Sequence, residues 1–149
     1  MRCRVSALLL ALLAVAACGD NKPPTSPSAQ TLNLSGNWAG DLPVQDSLAR
    51  MTWTVTQNNN TVTGPVLIVL PTGVVLLNGA LSGTLSGSTL NYTIDVTPGG
   101  IPSEPACSGR LGGLVTAAVG QATLTGSYEV RSSSCTPQFS SGSFTLTKQ

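Results

Sequence analysis

The chain is predicted to be all-β, an eight-stranded antiparallel up-and-down barrel, and three features of the sequence lead there. Apolar and polar residues alternate with period two. Turn-forming residues interrupt the alternation at short intervals. Glycine recurs inside the alternating segments, and hardly any stretch has the spacing of an amphipathic helix.

Each element follows from this pattern. Strands are expected near 33–41, 49–57, 61–69, 74–85, 89–97, 108–116, 121–131 and 141–147. In MTWTVTQ, Met51, Trp53 and Val55 share one face and Thr52, Thr54 and Thr56 the other. In TLNYTIDV, Leu90, Tyr92, Ile94 and Val96 oppose Thr89, Asn91, Thr93 and Asp95. ATLTGSYEV sets Ala122, Leu124, Tyr128 and Val130 against Thr123, Thr125, Ser127 and Glu129, and SFTLT turns Phe144 and Leu146 inward. Such alternation marks a sheet with one buried face, and threonine suits the other because it is β-branched yet polar. Asn58-Asn59-Asn60, Pro71-Thr72-Gly73 and Ser86-Gly87-Ser88 supply the turns. Short links pair neighbouring strands antiparallel, and eight strands can close into a barrel without edges. The triplets at 34–36, 62–64, 81–83 and 124–126 each end in glycine, which lets a strand bend toward closure. A flat β-sandwich is the alternative.

Three segments divide the chain. Residues 1–17 have Arg2 and Arg4 before an apolar run at 5–17, the pattern of a secretory signal peptide. That run is about 13 residues, short of the roughly 20 a spanning helix needs. Val15-Ala16-Ala17-Cys18 resembles the lipobox of bacterial lipoproteins. The resemblance implies a cut before Cys18, acylation of its sulfur and amino group, and a membrane anchor. Gly19, rather than Asp, in the next position implies sorting to the outer membrane, facing the periplasm or the cell surface. Residues 18–31 hold three prolines and no large apolar side chain, which reads as a disordered tether. Residues 32–149 form the barrel domain, large enough for one core.

From Cys18 onward there are five basic and six acidic side chains, a net charge of −1 without a basic patch, so nucleic acid is not an expected partner. Cys107 and Cys135 form an even pair in an exported chain, and a disulfide is expected between them. Two cysteines with no histidine make a poor metal site, and no metal or cofactor is expected. The lack of histidine also removes the usual general base and any Ser-His triad. Asp41 and Asp46 flank DLPVQDS, read as a loop, and are the one candidate pair of catalytic carboxylates. Asp95 and Glu129 fall on outer faces, and Glu104 lies in a proline-rich loop. The expectation is a chain that is not an enzyme.

One stretch departs from alternation. VLIVLPTGVVLL, residues 66–77, is aliphatic on both faces. It calls for a cover: the chain's own N-terminal residues, a ligand portal, a protein partner or the membrane surface.

The first strand, LSGNWAG, with Gly36-Asn37-Trp38 and the later glycine-punctuated hairpins TVTG and LSGTLSG, resembles the calycins, the lipocalin and avidin-type barrels. In lipocalins that tryptophan closes the barrel floor beneath an arginine from the last strand; here the last strand offers Lys148. Only Trp38 and Trp53 are present, so biotin binding does not carry over from the avidin side. Trp38, Trp53, Tyr92, Tyr128 and Phe144 fall on the inner face, as core or as the wall of a small apolar site. The expected function is a cell-envelope lipoprotein with a non-enzymatic barrel for a small apolar ligand. The alternative is a structural or protein-interaction lipoprotein, inhibitor-like in one variant, that uses the 66–77 hairpin.

The anchor is directly testable. Cys18→Ser is expected to abolish acyl labelling and leave the chain unprocessed; undiminished labelling contradicts the lipobox reading.

Overall fold

The computed structural model describes residues 32–44, 47–120, 122–136 and 141–149. The signal segment 1–17, Cys18, the tether 18–31 and Asp46 lie outside the described residues.

Eight strands follow one another: β1 (Gly36–Val44), β2 (Ser47–Asn58), β3 (Thr61–Val69), β4 (Val75–Ser86), β5 (Thr89–Val96), β6 (Gly109–Ala117), β7 (Thr123–Ser133) and β8 (Gly142–Lys148). Each pairs antiparallel with its neighbours in sequence, and β1 also pairs with β8, so the sheet closes into a barrel with no crossover. Closure excludes the sandwich. This is the up-and-down closed barrel that lipocalins and streptavidin also use.

Strand ends agree with the sequence reading to within about three residues. The largest departure is β1, which runs on through Asp41-Leu42-Pro43-Val44, with Val44 paired to Ser47 of β2. DLPVQDS is therefore mostly strand, not loop. Leu42 and Val44 turn inward and are buried, and that burial outweighs the turn propensity of their neighbours. Pro43 is tolerated because β1 pairs with β8 only at Trp38 and Ala39, well before the proline. Ala122, expected inside, precedes β7 and is exposed, and Val130 is only partly covered near the strand's end.

Inward side chains from all eight strands make one apolar core. The remaining expected inward positions are buried: Met51, Trp53, Val55, Leu90, Tyr92, Ile94, Val96, Leu124, Phe144 and Leu146, with Tyr128 half-buried. Among the described residues no charged side chain is buried. The glycine triplets show why a bend was needed most clearly at Gly64. A Cβ there would lie 1.9 Å from the Thr54 carbonyl oxygen on β2. Pairing between β2 and β3 lapses over Gly64 and Pro65 and resumes at Val66, so the strand bends where no side chain blocks it.

The two ends of the barrel differ. At the closed end, the chain before β1 crosses the floor. Gln57 pins it: its side-chain carbonyl accepts from Leu34 N–H, and its amide donates to the Leu32 carbonyl. Leu34 is buried beneath. Hairpin turns at this end are tied together, Leu85 N–H donating to Asn60 O and Ala117 N–H to Ser88 O.

At the mouth, the loop joining β5 to β6 folds over the opening and buries Ile101. Asn78 N–H donates to Gly100 O at 2.7 Å, and Gly99 N–H to Pro105 O, so the loop is fastened to β4 and to itself. Cys107 and Cys135 are bridged, as expected, and this clips the loop to the segment after β7. The Glu104 carboxylate accepts from Thr136 N–H beside the bridge.

The bridged cysteines are 28 residues apart, and loop-closure entropy gives about 3.5 kcal/mol of stabilisation. The double variant Cys107→Ala/Cys135→Ala is expected to lose close to that amount in urea unfolding. A loss below about 1 kcal/mol would show that the mouth loop is held by its other contacts.

Candidate functional site

The candidate site is built from the inward faces of β2, β5, β7 and β8, where four of the five expected aromatic residues meet. The Trp53 ring lies edge-on to Tyr92 at 5.0 Å and to Phe144 at 5.3 Å. Tyr92 and Phe144 are 6.4 Å apart, and Tyr128 stacks on Phe144 at 6.4 Å. Edge-on pairs of this kind contribute about 0.5–1.5 kcal/mol each beyond the area they bury.

Tyr92 also crosses a gap in the wall. Its register partner on β6 is Gly113, and its hydroxyl donates to the Ser127 carbonyl on β7 at 2.8 Å. A Cβ on Gly113 would stand 1.9 Å from that same oxygen, so β7 can lean in only over glycine. Burial raises the Tyr92 phenol well above its ordinary pKa, and the nearby Tyr128 adds to the shift. Tyr128 is raised as well, by its own partial burial.

Trp38, the fifth aromatic, belongs to the floor. It is the cross-strand partner of Trp53, is almost wholly buried, and donates its indole N–H to the Leu34 carbonyl at 2.8 Å. The Lys148 ammonium sits 5.3 Å from the Trp38 ring centroid. This cation–π contact is worth about 0.5–1 kcal/mol. The sequence already showed this lysine, but its reach over Trp38 depends on closure between β1 and β8.

The interior is nearly full. A void of about 20 Å³ remains beside Tyr92, Tyr128 and Phe144, lined also by Met51, Leu77 and Leu111. A second, about 30 Å³, lies under the mouth loop between Ile101, Val96 and Val130, and it shares Leu77 and Leu111 with the first. Each has room for a water molecule, whereas small-molecule sites run to about 300–1,000 Å³. The Trp53 indole N–H is buried with no hydrogen-bond partner, the one such side-chain atom among the described residues.

The carboxylates are dispersed. Asp41 lies exposed on β1 with Arg50 3.9 Å away across the ladder. Asp46 lies outside the described residues, and with it the expected pair Asp41–Asp46. Asp95 pairs with Arg110, Glu129 with Arg131 at 3.3 Å, and Glu104 holds the mouth loop. Among the described residues no three metal-ligating side chains come together. A shallow open groove over β6–β8 has a floor of Gly112, Gly113 and Gly142, but the Arg131 side chain crosses it.

The 66–77 hairpin resolves into two halves. Val66, Ile68 and Leu77 point inward and are buried, while Leu70 and Leu76 pack partly against the core. Leu67 on the outer wall and Val74 at the tip stay exposed, at 38% and 55%. Leu48, two residues before Arg50, the register partner of Val69, is 57% exposed. The apolar excess is therefore only partly covered by the barrel. Sequence placed Glu104 in a proline-rich loop without a role and did not single out Ile101; a lone isoleucine among prolines and glycines, PGGIPSEP, was the available signal.

No protein-family model, curated protein or solved structure matches the chain.

Tyr92 gives an alkaline test. Its folded pKa is raised above the ordinary value of 10.0, so past that pH the unfolded chain gives up a proton that the folded chain keeps. Stability is expected to fall by up to about 1.4 kcal/mol per pH unit above pH 10. Tyr92→Phe is expected to flatten that slope and to cost about 1 kcal/mol at neutral pH for the lost bond to Ser127. Urea midpoints between pH 9 and 11 measure both, and an unchanged slope contradicts the assignment.

Proposed function

We propose that the chain is a cell-envelope lipoprotein, anchored through Cys18, whose barrel is a non-enzymatic docking module. Its contact surface is the 66–77 hairpin with the adjoining wall. The observation that carries this reading is the contrast between a packed interior and an aliphatic hairpin left half outside. Eight-stranded barrels either fill with side chains or hold one small ligand, and a filled lumen leaves the outside to do the recognising. The lipobox resemblance and the tether-like 18–31 segment support the anchor. At ~3.1 Å per extended residue, those 14 residues could hold the barrel up to about 40 Å from a membrane. The described chain begins at the closed end, so the tether joins the barrel on the side away from the mouth and hairpin.

A second reading, a small apolar ligand inside the barrel, draws on one specific observation. Two voids share the walls Leu77 and Leu111, and a buried indole N–H in the same core lacks a partner.

Extraction in mild detergent followed by sedimentation separates the two. The docking reading expects the native chain to sediment above its monomer mass. The double variant Leu48→Asp/Val74→Asp should return to the monomer with the Cys107–Cys135 bridge intact. A native chain that sediments as a monomer and carries a small-molecule mass in native mass spectrometry contradicts it.

A further inference from the structure

The barrel wall is divided by charge. Residues 51–94 contain no Asp, Glu, Lys or Arg. This run makes up all of β3 and β4, most of β2 and most of β5. The charged side chains of the described residues lie elsewhere: Asp41 on β1, Arg50 near the start of β2, Asp95 near the end of β5, and the rest from Glu104 onward. Two charges border the bare wall: Arg50, beside Val69, engages Asp41 and Gln149 on the β1–β8 side, and Asp95, beside Ala80, pairs with Arg110 on β6.

The outer face of β3 and β4 is graded along the barrel. Toward the closed end, hydroxyl residues face one another across the ladder, Thr61 with Thr84 and Thr63 with Ser82. Toward the mouth come Pro65 with Ala80, then Leu67 with Asn78, then Val69 with Val75. All but Val69 and Val75 are exposed, and those two are half-buried.

We propose that this uncharged outer face of β3 and β4 is a two-fold contact between two copies of the chain. The proposal rests on the docking reading above and names the partner of the same surface. In a two-fold contact a patch meets itself, so any charge near the axis meets its like. A hydroxyl is both donor and acceptor, and an apolar side chain needs neither, so this face can pair with its own copy without an unmatched group. The two charges that border the patch, Arg50 beside Val69 and Asp95 beside Ala80, are each paired within their own copy, with Asp41 and Arg110, so little net charge keeps identical copies apart. A membrane surface fits less well. Interfacial contact relies on aromatic and basic side chains, and here the aromatic residues point inward and the face has no cation. Residues 18–31 offer only three prolines and one alanine as apolar side chains with which to cover it, and no Leu, Ile, Val, Met or aromatic residue.

Photo-crosslinking of the full chain in cells tests the proposal. Leu67→benzoylphenylalanine, on β3, is expected to give a product of twice the chain's mass whose crosslinked peptides both belong to this chain. Thr125→benzoylphenylalanine, on the opposite wall at β7, is expected to give at least ten-fold less. Thr63→Asp in every copy, combined with the Leu67 probe, is expected to suppress the product at least ten-fold while the Cys107–Cys135 bridge still forms. Crosslinking of position 67 to another protein overturns self-association while leaving the docking reading standing. Crosslinking within one copy, to the membrane lipid, or nowhere overturns both.

Discussion

The lumen of an eight-stranded barrel is just wide enough for its own side chains to fill, and every other feature of this molecule depends on how that filling is done. Trp53, Tyr92 and Phe144 meet edge-on at its centre, with aliphatic layers from Leu34 and Leu124 toward the floor and Leu77 and Leu111 toward the mouth. Few large rings are available, only six in the whole chain. The wall must come in to meet them, and it does so at glycines. β7 leans in over Gly113 until its Ser127 carbonyl reaches the Tyr92 hydroxyl, and β3 bends at Gly64 under the Thr54 carbonyl. A filled centre then needs a lid more than an entrance, which the bridged loop bearing Ile101 supplies.

Most of this frame could be read from sequence because one physical rule, a single buried face per strand, repeats eight times. Strand order followed from link length. The first hairpin was misjudged because Asp41, Pro43 and Ser47 have local turn preferences, while the burial of Leu42 and Val44 is decided by strands far away in sequence. The site was less legible. Alternation put Trp53, Tyr92, Tyr128 and Phe144 inside but could not say whether they touch, and their contact is what leaves so little space. Lys148 could be seen at the end of the last strand, but that its ammonium lies over Trp38 follows only from closure at the β1–β8 seam.

Charge placement escaped the strand-by-strand reading for a different reason. Alternation asks whether an outward residue is polar, and threonine satisfies it as well as lysine does. The charge-free run 51–94 stands in the sequence, but it becomes one wall because consecutive strands are neighbours in the barrel. The fold thus separates two tasks. One half carries the pairs Asp95–Arg110 and Glu129–Arg131, while the outer face of β3 and β4 carries hydroxyls toward the closed end and apolar side chains toward the mouth. A barrel filled within and bare of charge on one wall leaves its outer face as the surface for contact.

The central claim is that the barrel is filled and that recognition is external. Tryptophan emission during titration with apolar molecules of graded size, from benzene to a long-chain fatty acid, tests it most directly. Trp53 lies at the centre of the packed rings, so any occupant of the lumen must displace its neighbours. The account predicts blue-shifted emission that does not change saturably with any of them. A saturable change at one ligand per chain would show that the lumen opens, and would contradict it.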